Sequence, residues 1–365
     1  MKRENRILIH APNLSTPGGK QTYFSSLLDH FESDIEFFFY GSQDEKETKL
    51  RVLIRLFKDY WNFYRLLRNY DYSLVHLNPS LNVKSFFRDS IFAAICTLTK
   101  TKMIVFWHGW QWAFERKTVR NMLIWFRMTY GKADSMLVLA KEFGDQLKVY
   151  GYCKPVYQVT TVADPMFFDL ESKYENRTVD KFKSKSLTFL FLSRIEKVKG
   201  IYEVLESFEL LKKEYATITL KVAGTGGELK AVQKYIEDKE LQGVELLGWI
   251  TGEEKIKAFS ESDVYLLPSY GEGLPCSVLE AMAAGLPVIT TEVGGIKDFF
   301  KDEVMGYLVK MKDPVDLSDK IRRIIDSPDN IGTMGRYNIE YARKRFTPQN
   351  VGSELERIYT ETIKD

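Results

Sequence analysis

The chain has 365 residues, of which 44% are hydrophobic and 28% are charged. This length fits two domains of ordinary size, and the composition is that of a globular protein rather than a disordered or fibrous one. No apolar run reaches the roughly 18 residues of a membrane-spanning helix. Three scattered cysteines, Cys96, Cys153 and Cys276, do not form a disulfide framework and favour a reducing cytoplasm.

The net charge of +2 conceals an uneven distribution. Residues 1–165 carry 23 Lys and Arg against 16 Asp and Glu, a balance of +7, whereas residues 166–365 carry 29 against 34, a balance of −5. Residues 51–132 alone carry 14 against 4, a balance of +10. Such a basic region favours an anionic partner: lipid headgroups, a lipid-linked phosphate or nucleic acid.

Short apolar runs alternate with longer amphipathic segments along the first half of the chain. The predicted strands are 6–11, 36–41, 73–77, 103–108 and 135–140. A glycine-containing loop, 15–21, follows the first strand and precedes a helix predicted over about 22–31. Strands separated by helices favour a parallel sheet with helices on both faces.

The second half of the chain repeats this scheme. The predicted strands are 187–193, 216–224, 243–248, 263–269 and 286–291. A helix is predicted over 199–214, and the polar residues 169–186 form the predicted linker. We therefore predict an α/β chain with two doubly wound domains, 1–168 and 169–349, whose ligand lies at the carboxyl ends of strands. The last helix, 350–365, is a candidate to pack back on the first domain.

The strongest functional signal is residues 269–295, SYGEGLPCSVLEAMAAGLPVITTEVGG. It begins where a predicted strand ends, and a glycine-containing turn leads into a helix near Cys276 or Ser277. The amides and the dipole of a helix start favour a phosphate group.

Two glutamates flank this predicted helix start. Glu272 is expected in the loop and Glu280 in the first turn of the helix, where a carboxylate can accept hydrogen bonds from sugar or ribose hydroxyls. Ser277 and Glu280 also fit a capping box, which needs no ligand. The pattern alone therefore leaves both interpretations open.

This string resembles the signature of the retaining glycosyltransferases of family four, which have the GT-B fold. Their E-x7-E motif matches EGLPCSVLE at 272–280, and AMAAGLPVI follows it as the family expects. Further landmarks of the family occur in the right order over nearly the whole chain: Gly18-Gly19, His108-Gly109, Ala133-Asp134, Arg194 with Lys199-Gly200, AGTGGE at 223–228 and LLGWI at 246–250. The resemblance implies two Rossmann-like domains that face each other across a cleft.

The resemblance also implies roles for individual residues. Arg194 and Lys199 would neutralise the donor diphosphate as it leaves, Glu280 would hold the ribose, and Glu272 would contact hydroxyls of the transferred sugar. The implied catalytic residues are Arg194, Lys199, Glu272 and His108. The implied donor-binding residues are Gly18, Gly19, Gly224, Ile250, Gly273, Leu274, Ser277 and Glu280. Without the resemblance, Arg194 and Lys199 fit solvated surface residues, Gly19 fits a turn and His108 fits an ordinary histidine at a strand end.

The sequence contains no D-x-D, H-E-x-x-H, C-x-x-C or P-loop lysine motif. We therefore predict no metal site and no cofactor, with Arg194 and Lys199 supplying the positive charge. Two positions depart from the family pattern. Residues 161–164 read TVAD where the family usually has N-G-V-D, and Ser193 stands where glycine is common.

Two stretches, 51–70 and 106–126, interleave aromatic and basic residues, and the second holds four of the six tryptophans. This pattern favours a membrane interface. Single-stranded nucleic acid is a weaker alternative because no nucleic-acid-binding module accompanies the pattern. Both stretches also fit ordinary domain helices whose aromatic residues lie in the core.

The motifs and the resemblance together predict a retaining, metal-independent hexosyltransferase. It would move a sugar from a nucleotide diphosphate sugar to a glycan or lipid-linked acceptor in bacterial surface polysaccharide or lipopolysaccharide synthesis. The alternatives are a nucleotide-sugar epimerase of the same fold and a non-catalytic nucleotide-sugar-binding scaffold. The expected partners are the donor, the acceptor and an anionic membrane surface, with no nucleic acid. The expected location is the cytoplasm, with peripheral attachment to the inner face of the membrane as a hypothesis.

Overall fold

The computed structural model describes residues 6–14, 18–41, 48–170 and 186–364. Most of the predicted linker, 169–186, and the start of the predicted loop 15–21 lie outside the described residues. The chain divides into two units: unit 1 holds residues 1–161 and 348–365, and unit 2 holds residues 162–347.

The described residues contain twelve strands, six in each unit. In chain order they are β1 Arg6–Pro12, β2 Asp34–Tyr40, β3 Leu74–Leu77, β4 Met103–Trp107, β5 Ser135–Val138, β6 Val156–Gln158, β7 Thr188–Leu192, β8 Thr219–Ala223, β9 Val244–Gly248, β10 Val264–Leu267, β11 Val288–Thr291 and β12 Gly306–Val309. All ten predicted strands are present. The sequence missed β6 and β12, which form an edge of their sheets.

The described α-helices lie between and after these strands. They are α1 Gly19–Leu27, α2 Lys49–Asn69, α3 Val83–Thr99, α4 Trp112–Phe114, α5 Leu123–Met128, α6 Lys141–Val149, α7 Ile201–Lys212, α8 Leu229–Asp238, α9 Gly252–Ser260, α10 Cys276–Ala283, α11 Ile296–Phe299, α12 Pro314–Asp326, α13 Asp329–Arg345 and α14 Pro348–Lys364. Helices within the described ranges are too short or too polar to cross a membrane.

Each unit is built on one parallel sheet. The strand order is β2-β1-β3-β4-β5-β6 in unit 1 and β12-β11-β10-β7-β8-β9 in unit 2. In a doubly wound sheet, ligands bind at the carboxyl ends of the strands where the winding direction reverses. That point lies between β1 and β3 in unit 1, and between β7 and β10 in unit 2.

Helix α14 packs within unit 1 through polar contacts as well as apolar ones. The Tyr359 hydroxyl lies 2.6 Å from Nδ1 of His76, and the Thr362 hydroxyl lies 2.8 Å from that of Ser135. All four residues are buried. The ammonium of Lys102 donates to the carbonyl of Ile363 at 2.8 Å. These bonds tie helix α14 to β3, to β5 and to Lys102, which directly precedes β4.

A buried histidine lies in the aromatic core of unit 1. The His10 ring centroid is 4.2 Å from those of Tyr40 and Phe92. Neither ring nitrogen has a hydrogen-bond partner in the described part of the chain. Burial therefore lowers the pKa of His10 to about 3.

This histidine predicts a loss of stability in acid. Between its ordinary pKa and about 3, the unfolded chain binds a proton at His10 that the folded chain does not, so stability falls as the pH drops below about 6.5. At about pH 5 the loss is on the order of 2 kcal/mol. We expect His10→Phe, which keeps the ring stacking, to reduce the difference in unfolding free energy between about pH 7 and about pH 5, measured by urea denaturation. An unchanged difference would show that His10 does not cause the acid sensitivity.

Candidate functional site

The loop that follows β7 carries the two predicted phosphate-binding cations. It runs from Leu192, the end of β7, to Ile201, the start of α7, and Lys199 ends a single 3-10 turn within it. Gly200 has a φ of 78°, and a side chain there would overlap the carbonyl group of Pro268, which follows β10. Only glycine therefore lets this loop lie directly against the end of β10.

This close approach brings Lys199 onto Glu272, in the loop between β10 and α10. The ammonium donates to both carboxylate oxygens, at 2.6 and 2.8 Å. The side chains are 12% and 9% exposed. The amide of Tyr270 donates to the carbonyl of Val198 at 2.8 Å and so joins the two loops. An ammonium has three protons, so Lys199 retains one for an anion after its two bonds to Glu272.

Arg194 does not join this pair. Its guanidinium bonds Glu196 at 2.7 Å within the same loop, and its side chain is 65% exposed. The backbone beside it is held, because the amide of Ile195 donates to the carbonyl of Thr225 at 2.9 Å. The structure thus places Arg194 at the carboxyl end of β7 with its charged group in solvent.

Helix α10 begins at Cys276, as predicted, but the capping-box interpretation is wrong. Its N-cap residue is Pro275, which makes no side-chain cap hydrogen bond. Ser277 is the second helical residue and therefore not the N-cap. The sequence analysis expected Glu280 in the first turn of this helix. Glu280 is instead the fifth helical residue and lies beyond the first turn.

Glu280 is paired with a residue that the sequence analysis missed. Its Oε1 accepts from the ammonium of Lys255, on α9, at 2.7 Å, and the glutamate side chain is 2% exposed. Its Oε2 is buried and has no hydrogen-bond partner within the described ranges. Burial raises the pKa of Glu280, Lys255 opposes that rise, and the negative charge of Asp164 adds to it. A buried carboxylate oxygen without a partner can accept a hydrogen bond from a ligand hydroxyl.

The other predicted donor-binding residues of unit 2 lie in the surrounding loops. Gly224 has a φ of 136°, and a side chain there would overlap the carbonyl of Ser193. Ile250 is half-buried between β9 and α9. The carbonyl of Gly273 accepts from the amide of Gly295 at 2.7 Å. Leu274 is 8% exposed and belongs to the core.

His108 follows β4 in unit 1 and is hydrogen-bonded to Asn78. The Asn78 amide nitrogen donates to the carbonyls of His10 and His76, at 3.0 and 3.2 Å, so its oxygen faces Nε2 of His108 at 2.8 Å. Nε2 must therefore carry the proton, and Nδ1 is the acceptor. Burial lowers the pKa of His108 well below its usual value, so the ring is neutral at physiological pH.

Lys20 lies beside this pair and was also missed. Its ammonium donates to the carbonyl of Asn78 at 2.5 Å, and burial lowers its pKa to about 8. Gly18 and Gly19 directly precede Lys20 in the sequence. Helix α1 begins at Gly19, three residues before the predicted start. Among the residues that the structure describes, a side chain at Gly19 would meet no atom within 4 Å. Asn78 directly follows β3. A polar residue directly after a predicted strand is the sequence pattern that could have identified Asn78 as a candidate site residue.

Among the residues the structure describes, no three His, Cys, Asp or Glu side chains come close enough to hold a metal ion.

Comparison with known proteins finds that part of this chain is similar to a known family. Residues 172–345 match the family of glycosyl transferases group 1. This group 1 region covers almost all of unit 2 and contains Arg194, Lys199, Glu272 and Glu280. The capsular polysaccharide biosynthesis glycosyltransferase CapM of Staphylococcus aureus is 26% identical over 198 residues, which are 54% of this chain and 50% of that protein. The chain thus spans about half the length of this curated relative.

Solved structures show the fold of both units. Sucrose-phosphate synthase from Thermosynechococcus elongatus superposes with a TM-score of 0.78 at 16% identity, covering 99% of each chain. Anabaena Alr3699/HepE in complex with UDP-glucose has a TM-score of 0.74 at 14% identity, covering 98% of this chain and 99% of that one. The predicted fold class, GT-B with two Rossmann-like doubly wound units, is confirmed.

Proposed function

We propose that this chain is a retaining glycosyltransferase that moves a hexosyl group from a nucleotide diphosphate sugar to a glycan or lipid-linked acceptor. One observation carries the proposal. Within a region that matches a glycosyltransferase family, a lysine, a helix start and a buried carboxylate oxygen without a partner in the described residues lie on the segments that follow β7 and β10, the strands on either side of the switch point. The names of relatives, which include capsular polysaccharide and colanic acid glycosyltransferases, favour surface polysaccharide synthesis.

The residues of unit 2 suit the two ends of the donor. Lys199, Arg194 and the start of α10 supply positive charge to a diphosphate. Glu280 is buried, and its free oxygen is suited to accept a hydrogen bond from a ribose hydroxyl. HepE, which has the same fold, was solved with UDP-glucose, so a uridine nucleotide is the first donor to test.

In the chemical step, the new bond forms on the same face of the sugar ring from which the diphosphate leaves. The bond between the anomeric carbon and the diphosphate oxygen breaks, and a bond from that carbon to the acceptor hydroxyl oxygen forms. The leaving diphosphate takes the acceptor proton, so no protein base is required. Lys199 and Arg194 lower the barrier because negative charge develops on the diphosphate as it leaves. His108 is neutral. Its Nδ1 would accept a hydrogen bond from the acceptor substrate, and the ring would not supply a proton.

The test is incubation of the full chain with radiolabelled sugar nucleotides and a panel of glycan and lipid-linked acceptors, with product analysis. A new glycosidic bond of retained anomeric configuration is the expected result. A free epimer of the donor would assign an epimerase instead. Nucleotide binding without turnover across the panel would assign a scaffold.

We also expect transfer to continue in EDTA. Arg194 and Lys199 supply positive charge at the place where a metal ion would otherwise neutralise the diphosphate. The measurement is the rate of transfer with and without an excess of EDTA, with added Mg²⁺ and Mn²⁺ as the converse. A rate that EDTA abolishes and Mg²⁺ or Mn²⁺ restores would contradict metal independence.

A further inference from the structure

Helix α2 of unit 1 exposes an apolar face to solvent. Its exposed apolar residues are Leu50, Leu53, Ile54, Phe57 and Trp61, which are 48 to 73% exposed. The spacing i, i+3, i+4, i+7, i+11 puts them on one side of the helix. The opposite side, with Phe63 and Leu67, packs into the core. A surface helix normally turns its polar side to water, so this second apolar face marks a contact surface.

Helix α3 lies next to α2, and α5 lies next to α3. The hydroxyl of Tyr60, on α2, donates to the carbonyl of Arg88, on α3, at 3.2 Å. The indole of Trp125, on α5, donates to the hydroxyl of Ser90, on the same helix α3, at 3.2 Å. Helix α3 therefore contacts both α2 and α5.

Both added helices expose apolar residues of their own. Phe87 and Ile91 of α3 are 37% and 38% exposed, and Ile124 and Met128 of α5 are 76% and 63% exposed. Each pair has the spacing i, i+4 and so lies on one side of its helix. We call the apolar residues of α2 and these two pairs the outer face.

The charge around the outer face is positive. Residues 51–132 hold 14 Lys and Arg against 4 Asp and Glu. Two of the acids, Asp89 and Glu115, are wholly buried, and Asp59 pairs with Arg55 at 3.6 Å. Asp89 and Glu115 pair with Arg88 and Arg120, so setting these three ion pairs aside leaves 11 Lys and Arg against one acid, Asp71, and the balance stays at +10. Solvent-exposed cations such as Lys58 flank the apolar face of α2.

We propose that the outer face of α2, α3 and α5 binds the surface of an anionic lipid bilayer. Aliphatic and aromatic side chains enter the boundary between headgroups and acyl chains, while flanking Lys and Arg contact anionic headgroups. A second copy of the chain would bring two basic surfaces together, which like-charge repulsion opposes. This proposal goes beyond the glycosyl transfer reaction and does not depend on it.

The outer face draws mainly on one of the two stretches that the sequence suggested. Of the tryptophans in the stretch 106–126, Trp107 and Trp110 are buried in the core, and Trp112 is partly buried against it. Trp125 is 40% exposed. The exposed residues lie mainly on α2, the other interleaved stretch.

The test is co-sedimentation of the full chain with vesicles at low salt. We compare phosphatidylcholine vesicles with vesicles that also contain about 30% phosphatidylglycerol. The chain should bind the anionic vesicles at least about 10-fold more tightly, and high salt should weaken binding. Phe57→Asp with Trp61→Asp should lower binding at least about 10-fold, because it removes apolar side chains and adds negative charge.

The control is Val149→Asp with Val315→Asp, which adds the same charge at apolar residues 71% and 58% exposed and outside the outer face. This control should bind vesicles like the original chain. Absence of binding to anionic vesicles, or equal binding by the Phe57→Asp/Trp61→Asp variant, would overturn the proposal. So would self-association in sedimentation velocity that this variant abolishes, because the face would then join two copies. Nucleotide binding by both variants is measured in parallel. This measurement distinguishes damage to the donor site from loss of vesicle binding.

Discussion

Replacing Lys199 with methionine is expected to lower kcat by about 100- to 1000-fold, the effect of losing one group that stabilises charge in a transition state. Methionine keeps most of the alkyl stem and removes the ammonium that now holds Glu272 at 2.6 and 2.8 Å. Arg194→Ala should lower turnover in the same direction. The measurement is the rate of sugar transfer at saturating donor.

Lys197→Met is the matched control, since Lys197 lies in the same 3-10 turn and is exposed. It should leave kcat near that of the original chain. Lys199→Met also leaves Glu272 without its partner, so the free energy of unfolding should fall by about 1–3 kcal/mol. Adding Glu272→Gln should restore part of that stability without restoring turnover. A Lys199→Met variant with normal kcat would remove this residue from the mechanism.

Replacing Lys255 with methionine is expected to raise the Kd for the nucleoside diphosphate at least about 10-fold. This change corresponds to a loss of about 1.4 kcal/mol of binding free energy. Burial already raises the pKa of Glu280, and Lys255 is the positive group that opposes this rise. Without it the pKa rises further, and Glu280 becomes protonated at a higher pH. Binding by the variant should therefore weaken as the pH falls from about 8 to about 6, more steeply than in the original chain.

Lys257→Met is the matched control on the same helix. The Lys257 side chain is 73% exposed, and its ammonium lies 3.9 Å from the carboxylate of Glu261 rather than beside Glu280. It should leave both the Kd and its pH dependence unchanged. Calorimetric titration at several pH values measures both quantities. A Lys255→Met variant whose Kd rises equally at every pH would show a structural rather than an electrostatic role.

The sequence predicted the elements whose signal is local. All ten predicted strands are present because each is a short apolar run between turn residues. The missed strands β6 and β12 have only three and four residues, and β6 contains no fully buried residue. Helix α1 begins early, at Gly19, because the carbonyl of Gly18 accepts from the amide of Thr22 at 3.0 Å. Glycine has poor helix propensity, so the sequence placed this start too late.

Within the site, the sequence located single residues but not their partners. Lys199 and Glu272 were both predicted, yet their contact depends on Gly200 packing on the end of β10. Lys255 lies on an amphipathic helix, where a lysine is normally solvated, and it meets Glu280 only through the packing of the folded unit. Pairs far apart in sequence are set by tertiary structure, which no local pattern records.

The most direct test of the account is calorimetric titration of the full chain with UDP, GDP and ADP. We expect one of them to bind, and Lys199→Met and Glu280→Gln each to weaken that binding at least about 10-fold, because one loses a diphosphate contact and the other a ribose contact. Folded protein that binds none of the three, or variants that bind as tightly as the original chain, would contradict a nucleotide site at the carboxyl ends of β7 and β10.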